Sequence, residues 1–318
     1  MPAEFPPIMS GFLLGRIGPV PSIAAMNPPP SIPGIATYHT RPEGLEVLRI
    51  TTAAATAEIT LHGAHVTHFQ PAGCAPVLFL SGSSHFALGR PIRGGVPICF
   101  PWFGGRAGSP ESPAHGFART SLWAVESLAE TDDGVTVTLR LSSDERSLAQ
   151  WPHAFTARLR VEVKSALTLN FEVENTGTTS FQYEEALHTY FVVSDVRAIG
   201  ISGLEGAAYL DKTDGFRRKQ LGSEPLRIES ETDRVFPANE ATCVIEDPGL
   251  KRRIIVEKSG SRTTVVWNPW IAKAAAMPDF GDDEWPRMVC IEAANVGDDT
   301  ITLAPGARHS TGTTIRVE

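Results

Sequence analysis

The stretch GVTVTLRLSS at 134–143 and its neighbour FTARLRVEVK at 155–164 decide how this chain folds. In the first, Val135, Val137, Leu139 and Leu141 alternate with other residues; in the second, Phe155, Ala157, Leu159, Val161 and Val163 do the same. Successive side chains of an extended strand point to opposite faces, so a period of two collects each apolar set on one face. Both stretches are expected to be half-buried strands, with a third, LTLNFEVENTG at 167–177, following across the short link of Ser165 and Ala166. Outward from this block, Gly, Asn and Pro punctuate the chain at strand-like spacing. No long segment carries a 3.6-residue period, and DERSLAQWP at 144–152 is at most a short helix. With many strands and no βαβ rhythm, the reading is an all-β chain folded as a large sandwich of antiparallel sheets, without internal repeat or interdomain linker.

The 318 residues allow one large β domain or two ordinary ones, and 42% hydrophobic with 20% charged residues is the balance of a soluble globular protein. A net charge of −8 with no Lys/Arg cluster repels polyanions, so nucleic acid is not an expected partner. A small anion remains possible, because a few converging arginines can hold one by short-range pairing. No apolar run approaches the roughly 20 residues of a membrane span, so no membrane is expected as a partner. Cys74, Cys99, Cys243 and Cys290 form no CxxC pair, and three lie in apolar contexts as buried thiols. That usage suits a reducing, cytoplasmic setting, although two disulfides are compatible with the sequence alone.

Residues 1–38 hold nine prolines and few charges, and read as a proline-rich irregular extension ahead of one domain at 39–318. The extension has no basic start followed by a clean apolar segment and cleavage site, which argues against a secretory leader. Met26 is an alternative start.

Polar residues stand where packing does not call for them. In FQYEEALHTYFVV (181–193), Phe181, Tyr183, Leu187 and Phe191 share one face, while Gln182, Glu184 and His188 share the other. Such a row, presented into a concave sheet face, would make a site; a core histidine bonded to backbone is the plainer alternative. Glu292 sits in the apolar RMVCIEAANV (287–296), either paired structurally with an arginine or held for chemistry. His115 in SPAHGFARTSLW (112–123) precedes a glycine and stands four residues before Arg119. His62, His65, His68 and His85 invite a metal reading, but HGAHVTH (62–68) is strand-like and its spacing of three spreads side chains over both faces, so no metal is expected.

In combination and in this order, RPIRGGVPICFPWFG, HGFART, EALHTYF, TDRVF, VVWNPW and CIEAANV resemble the aldose 1-epimerase, or galactose mutarotase-like, superfamily, and within it the D-hexose-6-phosphate mutarotase branch. The likeness runs from about residue 40 to the C-terminus. It implies a galactose mutarotase-like β-supersandwich with an open concave sheet holding a sugar. It further implies His188 as general acid toward the ring oxygen, Glu292 as general base toward the anomeric hydroxyl, His115 polarising the sugar, and Asp233 holding hydroxyls. Arg93 and Arg119 would reach the phosphate, with Gly94 and Gly95 leaving room for the anion and Gly116 letting the backbone approach the sugar. Ala114 stands where matching segments often carry glutamine, which removes one sugar hydrogen bond.

This division of labour is chemically coherent. Opening a hemiacetal removes one proton from the C1 hydroxyl and delivers one to the ring oxygen, so one acid and one base suffice and no cofactor is implied. A carboxylate is ionised near pH 7, and an imidazole needs only a small shift to be protonated there. The expected activity is therefore interconversion of the α and β anomers of a hexose 6-phosphate by a monomer whose partner is a small sugar phosphate. The alternatives are a mutarotase for an unphosphorylated aldose, with Arg93 and Arg119 structural, or a non-catalytic carbohydrate-binding protein. Binding alone needs no opposed acid and base, which counts against the last.

Overall fold

The computed structural model describes residues 29–106 and 108–318. Its strands pair antiparallel throughout and form two eight-stranded sheets, a four-stranded sheet and a two-stranded ribbon. The strands predicted from alternation lie at Gly134–Ser142, Phe155–Val163 and Leu167–Asn175, adjacent in the first large sheet. Leu139 pairs with Leu159 and Leu159 with Phe171, so the apolar rows align across three strands and enter one core. The other faces carry charge: Arg158 reaches Glu126 at 3.1 Å and Glu174 at 3.3 Å. This is the pattern of a sheet with one dry and one wet face.

The second large sheet runs in the order Arg217–Gln220, Ala208–Asp211, Thr232–Phe236, Thr263–Asn268, Met288–Asn295, Glu185–Leu187 and Ile98–Cys99, with Tyr190–Val192 also paired to Met288–Asn295. Met288–Asn295 is buried along its whole length because neighbours flank it on both edges and packing covers both faces. Phe100, directly after Ile98–Cys99, joins the two large sheets. Its ring centroid lies 5.1 Å from Phe155, 5.6 Å from Phe171 and 5.4 Å from Tyr183.

The short helix expected within 144–152 is Glu145–Gln150, entered through a reciprocal capping box between Asp144 and Ser147. A second short helix, Trp270–Ala276, has no counterpart in the sequence reading. The proline-rich extension expected over 1–38, with Met26, lies mostly outside the described residues, and the strand Ala36–Thr40 begins three residues ahead of the expected domain start at 39. Cys99, Cys243 and Cys290 are buried, and all four cysteines are free thiols. No helix among the described residues is long and apolar enough to cross a membrane.

Candidate active site

On one face of the second sheet, the register sets Val265 opposite Glu292, Trp267 opposite Cys290, and Asp233 opposite Trp267. Period-two geometry therefore brings Asp233, Trp267 and Glu292 to a common surface. From the other side comes His188, in the break between Glu185–Leu187 and Tyr190–Val192, where its amide donates to the Pro97 carbonyl instead of a ladder partner. These residues line a cavity of about 280 Å3 together with Arg93, His115, Lys212 and Lys273.

His188 Nε2 lies 3.2 Å from Glu292 Oε1, and both side chains are almost wholly buried, with relative exposures of 9% and 1%. His188 Nδ1 and Glu292 Oε2 have no hydrogen-bond partner among the described residues. The imidazole stacks on Tyr190 at 4.8 Å and stands edge-on to Trp267 at 6.0 Å. Burial, with the positive charges of Arg119, Arg93 and Lys212, holds His188 well below the ordinary imidazole range. Burial first, then the Asp233 charge, pushes Glu292 well above the ordinary carboxyl range. The favoured arrangement is thus a neutral imidazole beside a protonated carboxyl, with one proton on the pair. Burial thus works against the ionised Glu292 and readily protonated His188 suggested by the sequence, and the two groups touch directly.

His115 faces His188 edge-on, with ring centroids 5.7 Å apart. Its Nδ1 accepts from the Gly104 amide at 3.3 Å and lies 3.3 Å from Cys99 Sγ. An amide can only donate, so Nδ1 carries no proton. Burial and the nearby Arg119 keep the ring neutral, which puts its proton on Nε2 and makes that atom a donor. The residue has φ +64°, a left-handed conformation uncommon outside glycine and characteristic of constrained sites.

The glycines around it are held against neighbouring backbone. A Cβ on Gly116 would lie 1.9 Å from the Phe100 carbonyl oxygen, and one on Gly95 would lie 2.3 Å from the Val66 carbonyl oxygen. A Cβ on Gly94 would come 2.5 Å from the Phe79 carbonyl oxygen. At all three, backbone packed against backbone leaves no space for a side chain.

Asp233 Oδ2 lies 3.0 Å from Lys212 Nζ, and that ammonium stands 5.3 Å from the Phe103 ring centroid. Arg93 lines the cavity, but its Nε and Nη2 donate to Asp279 and its Nη1 to the Tyr190 hydroxyl. Arg119 stands behind the His115 turn rather than on the cavity wall, with Nη2 donating 2.7 Å to the Ala114 carbonyl. Five of the six expected residues thus line one cavity, and the Arg119 charge bears on His115, His188 and Glu292.

Sequence reasoning left out Tyr190, Lys212, Lys273, Trp267 and Asp279. Tyr190 was within reach of it, two residues after His188 and hence on the same strand face. The lysines sit in ordinary polar contexts and carry no local signal. Three of the four histidines weighed for a metal are engaged elsewhere: His62 with the Arg90 carbonyl at 2.8 Å, His65 with the Gly94 carbonyl at 2.7 Å, and His68 with the Thr56 hydroxyl at 3.2 Å.

The family model for aldose 1-epimerase matches residues 46–316. A protein of Cenchrus ciliaris named "Putative glucose-6-phosphate 1-epimerase" is 38% identical over 275 residues, covering 83% of this chain and 82% of its own. One of the same name from Escherichia coli K12 is 38% identical over 238 residues, covering 75% and 79%. The crystal structure of a "putative mutarotase" from Salmonella typhimurium superposes with TM-score 0.84 at 33% identity, over 89% of this chain and 93% of that one. A galactose mutarotase-like protein of Clostridium acetobutylicum shares the fold, with TM-score 0.70 at 15% identity over 89% and 98%. With family match, close relatives and fold in agreement, the chain is an isomerase belonging to the aldose 1-epimerase family.

Proposed function

We propose that the protein interconverts the α and β anomers of a hexose 6-phosphate, with glucose 6-phosphate as the substrate to test first. The observation that carries this reading is the buried His188–Glu292 contact of 3.2 Å in a cavity that also presents Asp233 and three cationic side chains. The names of the relatives supply the phosphate.

In the proposed reaction, Glu292 takes the C1 hydroxyl proton, the bond from C1 to the ring oxygen breaks, and His188 delivers a proton to that oxygen. The product is an open-chain aldehyde with a free C5 hydroxyl. Rotation about C1–C2 and closure with both transfers reversed gives the other anomer. The pair holds one proton throughout: opening takes it from carboxylate and imidazolium to carboxylic acid and imidazole, and closure restores them. Burial favours the neutral arrangement, the one reached at the open-chain stage, and a proton passing across the 3.2 Å contact supplies the other. His115 donates from Nε2 to a sugar oxygen, and Asp233 accepts from hydroxyls.

Exchange NMR on glucose 6-phosphate, beside glucose and galactose, tests the activity directly. Glu292→Gln and His188→Ala are each expected to slow exchange by at least about 100-fold, the lower end for a positioned acid or base. A folded variant exchanging at the wild-type rate would remove that residue from the scheme.

A further inference from the structure

Strand register sets a thiol directly behind the cavity wall. Ala294, two residues after Glu292 and so on its face, pairs with Ala186, and Ala186 pairs with Cys99. Cys99 is therefore carried on the Glu292 face, while Ile98 turns to the core between the sheets. Its neighbours there are apolar, since Ala186, Val265 and Ala294 belong to the same buried cluster. Among the described residues the sulfur makes one hydrogen-bond contact, 3.3 Å to His115 Nδ1.

The direction of that bond follows from its surroundings. The Gly104 amide donates to the same nitrogen at 3.3 Å, so Nδ1 carries no proton and has nothing to give the sulfur. The thiol is fully buried, and burial pushes it well above its ordinary range, so it keeps its S–H. A proton on sulfur that faces a bare ring nitrogen is a donor. Two donors, one from the loop at Gly104 and one from the strand Ile98–Cys99, thus converge on one lone pair. A neutral imidazole has two tautomers and two ring orientations, and the bonds made by one nitrogen decide whether the other holds the proton. Flipping the ring would set a carbon against both donors, and moving the proton to Nδ1 would set hydrogen against hydrogen. Either change loses both contacts.

We propose that Cys99 is a positioning residue for the anomer exchange: its S–H bonds to His115 Nδ1 and, with Gly104, keeps the Nε2–H of that ring presented to the cavity. The inference rests on the hexose-phosphate reading above, in which that N–H meets a sugar oxygen. Cys99 itself touches no substrate. Packing alone would be served by valine, which suits the strand and its apolar neighbours yet brings no donor.

Infrared spectra and exchange rates test this separately. The S–H stretch lies in a region clear of other protein bands and falls in frequency when the thiol donates. The Cys99 band, isolated as the difference between wild type and Cys99→Ser, is expected below that of an unbonded thiol in apolar solvent, and His115→Phe should return it there. A wild-type band at the unbonded position, or one that His115→Phe leaves in place, overturns the contact. Exchange of glucose 6-phosphate in Cys99→Ser, Cys99→Ala and Cys99→Val separates a donor from a space filler. Loss of one neutral hydrogen bond is expected to slow the Ala and Val variants about 2- to 10-fold, and Ser, which keeps a donor, should be the fastest of the three. Ala and Val at the wild-type rate, or Ser as the slowest variant, overturn the positioning role. A wild type that exchanges neither glucose 6-phosphate nor glucose nor galactose overturns the reading above and the positioning role with it, while the infrared band still decides the bond.

Discussion

At His188 a single imidazole is acted on from every side: Tyr190 stacks below it, Trp267 stands at its edge, Glu292 meets Nε2, and Arg119, Arg93 and Lys212 supply positive charge. Burial and those cations both oppose a second proton on the pair. The acid limb of the exchange rate, where His188 is protonated in addition to Glu292, is therefore expected well below pH 6.5. Arg119→Met, which removes one cation without opening the cavity wall, should move that limb upward. Exchange rates followed from pH 4 to 9 check this, and an acid limb at or above 6.5 in wild type would contradict it. His188 and Glu292 could be found in the sequence because each interrupts an apolar run on a strand. Their protonation could not, since it depends on Arg93 and Arg119, which fold places beside them from distant segments.

At the scale of elements, the loop carrying His115 is clamped to the short strand Ile98–Cys99 and to Phe100. The Gly116 backbone passes so close to the Phe100 carbonyl that a methyl group has no space, and its φ of +71° is itself unfavourable for an alanine. Gly116→Ala is expected to destabilise the protein by more than about 1 kcal/mol in urea unfolding and to slow exchange by displacing His115. Phe100→Ala, which empties the aromatic junction between the large sheets, should cost about 3–5 kcal/mol. A loss under about 1 kcal/mol would show that Phe100 is not that junction. The strands at 134–175 were legible because each keeps a wet face and so preserves alternation. Met288–Asn295 lacks one and gives no such pattern, and Trp270–Ala276 is too short to display a helical period.

Across the whole molecule, the two large sheets are also joined by Glu185, fully buried and turned to the core side of the strand that leads to His188. Its Oε1 accepts from Asn295 at 3.1 Å and from the Thr311 hydroxyl of the opposite sheet. Burial pushes its carboxyl up to about 7. A raised carboxyl pKa means that the folded state binds the proton more tightly than the unfolded chain. The stability it contributes is present below about pH 4.5 and is lost as pH rises through about 7. Relative to Glu185→Gln, wild type is expected to lose on the order of 2–3 kcal/mol between pH 5 and 8. Denaturant unfolding of both proteins at the two pH values measures it, and parallel pH dependences would refute it. Alternation alone determined that this chain is a β-sandwich, because face preference is a local property written every second residue. The order of polar motifs pointed to the acid–base pair for a related reason, since a polar residue in an apolar strand is visible where it stands. Only the tertiary structure decided that Arg93 belongs to Asp279, 186 positions away, that Lys212 and Lys273 reach the cavity, and that Glu185 bridges two sheets. Those partnerships arise from strand register and from the depth at which each charge is buried, and neither is encoded in the residues beside them.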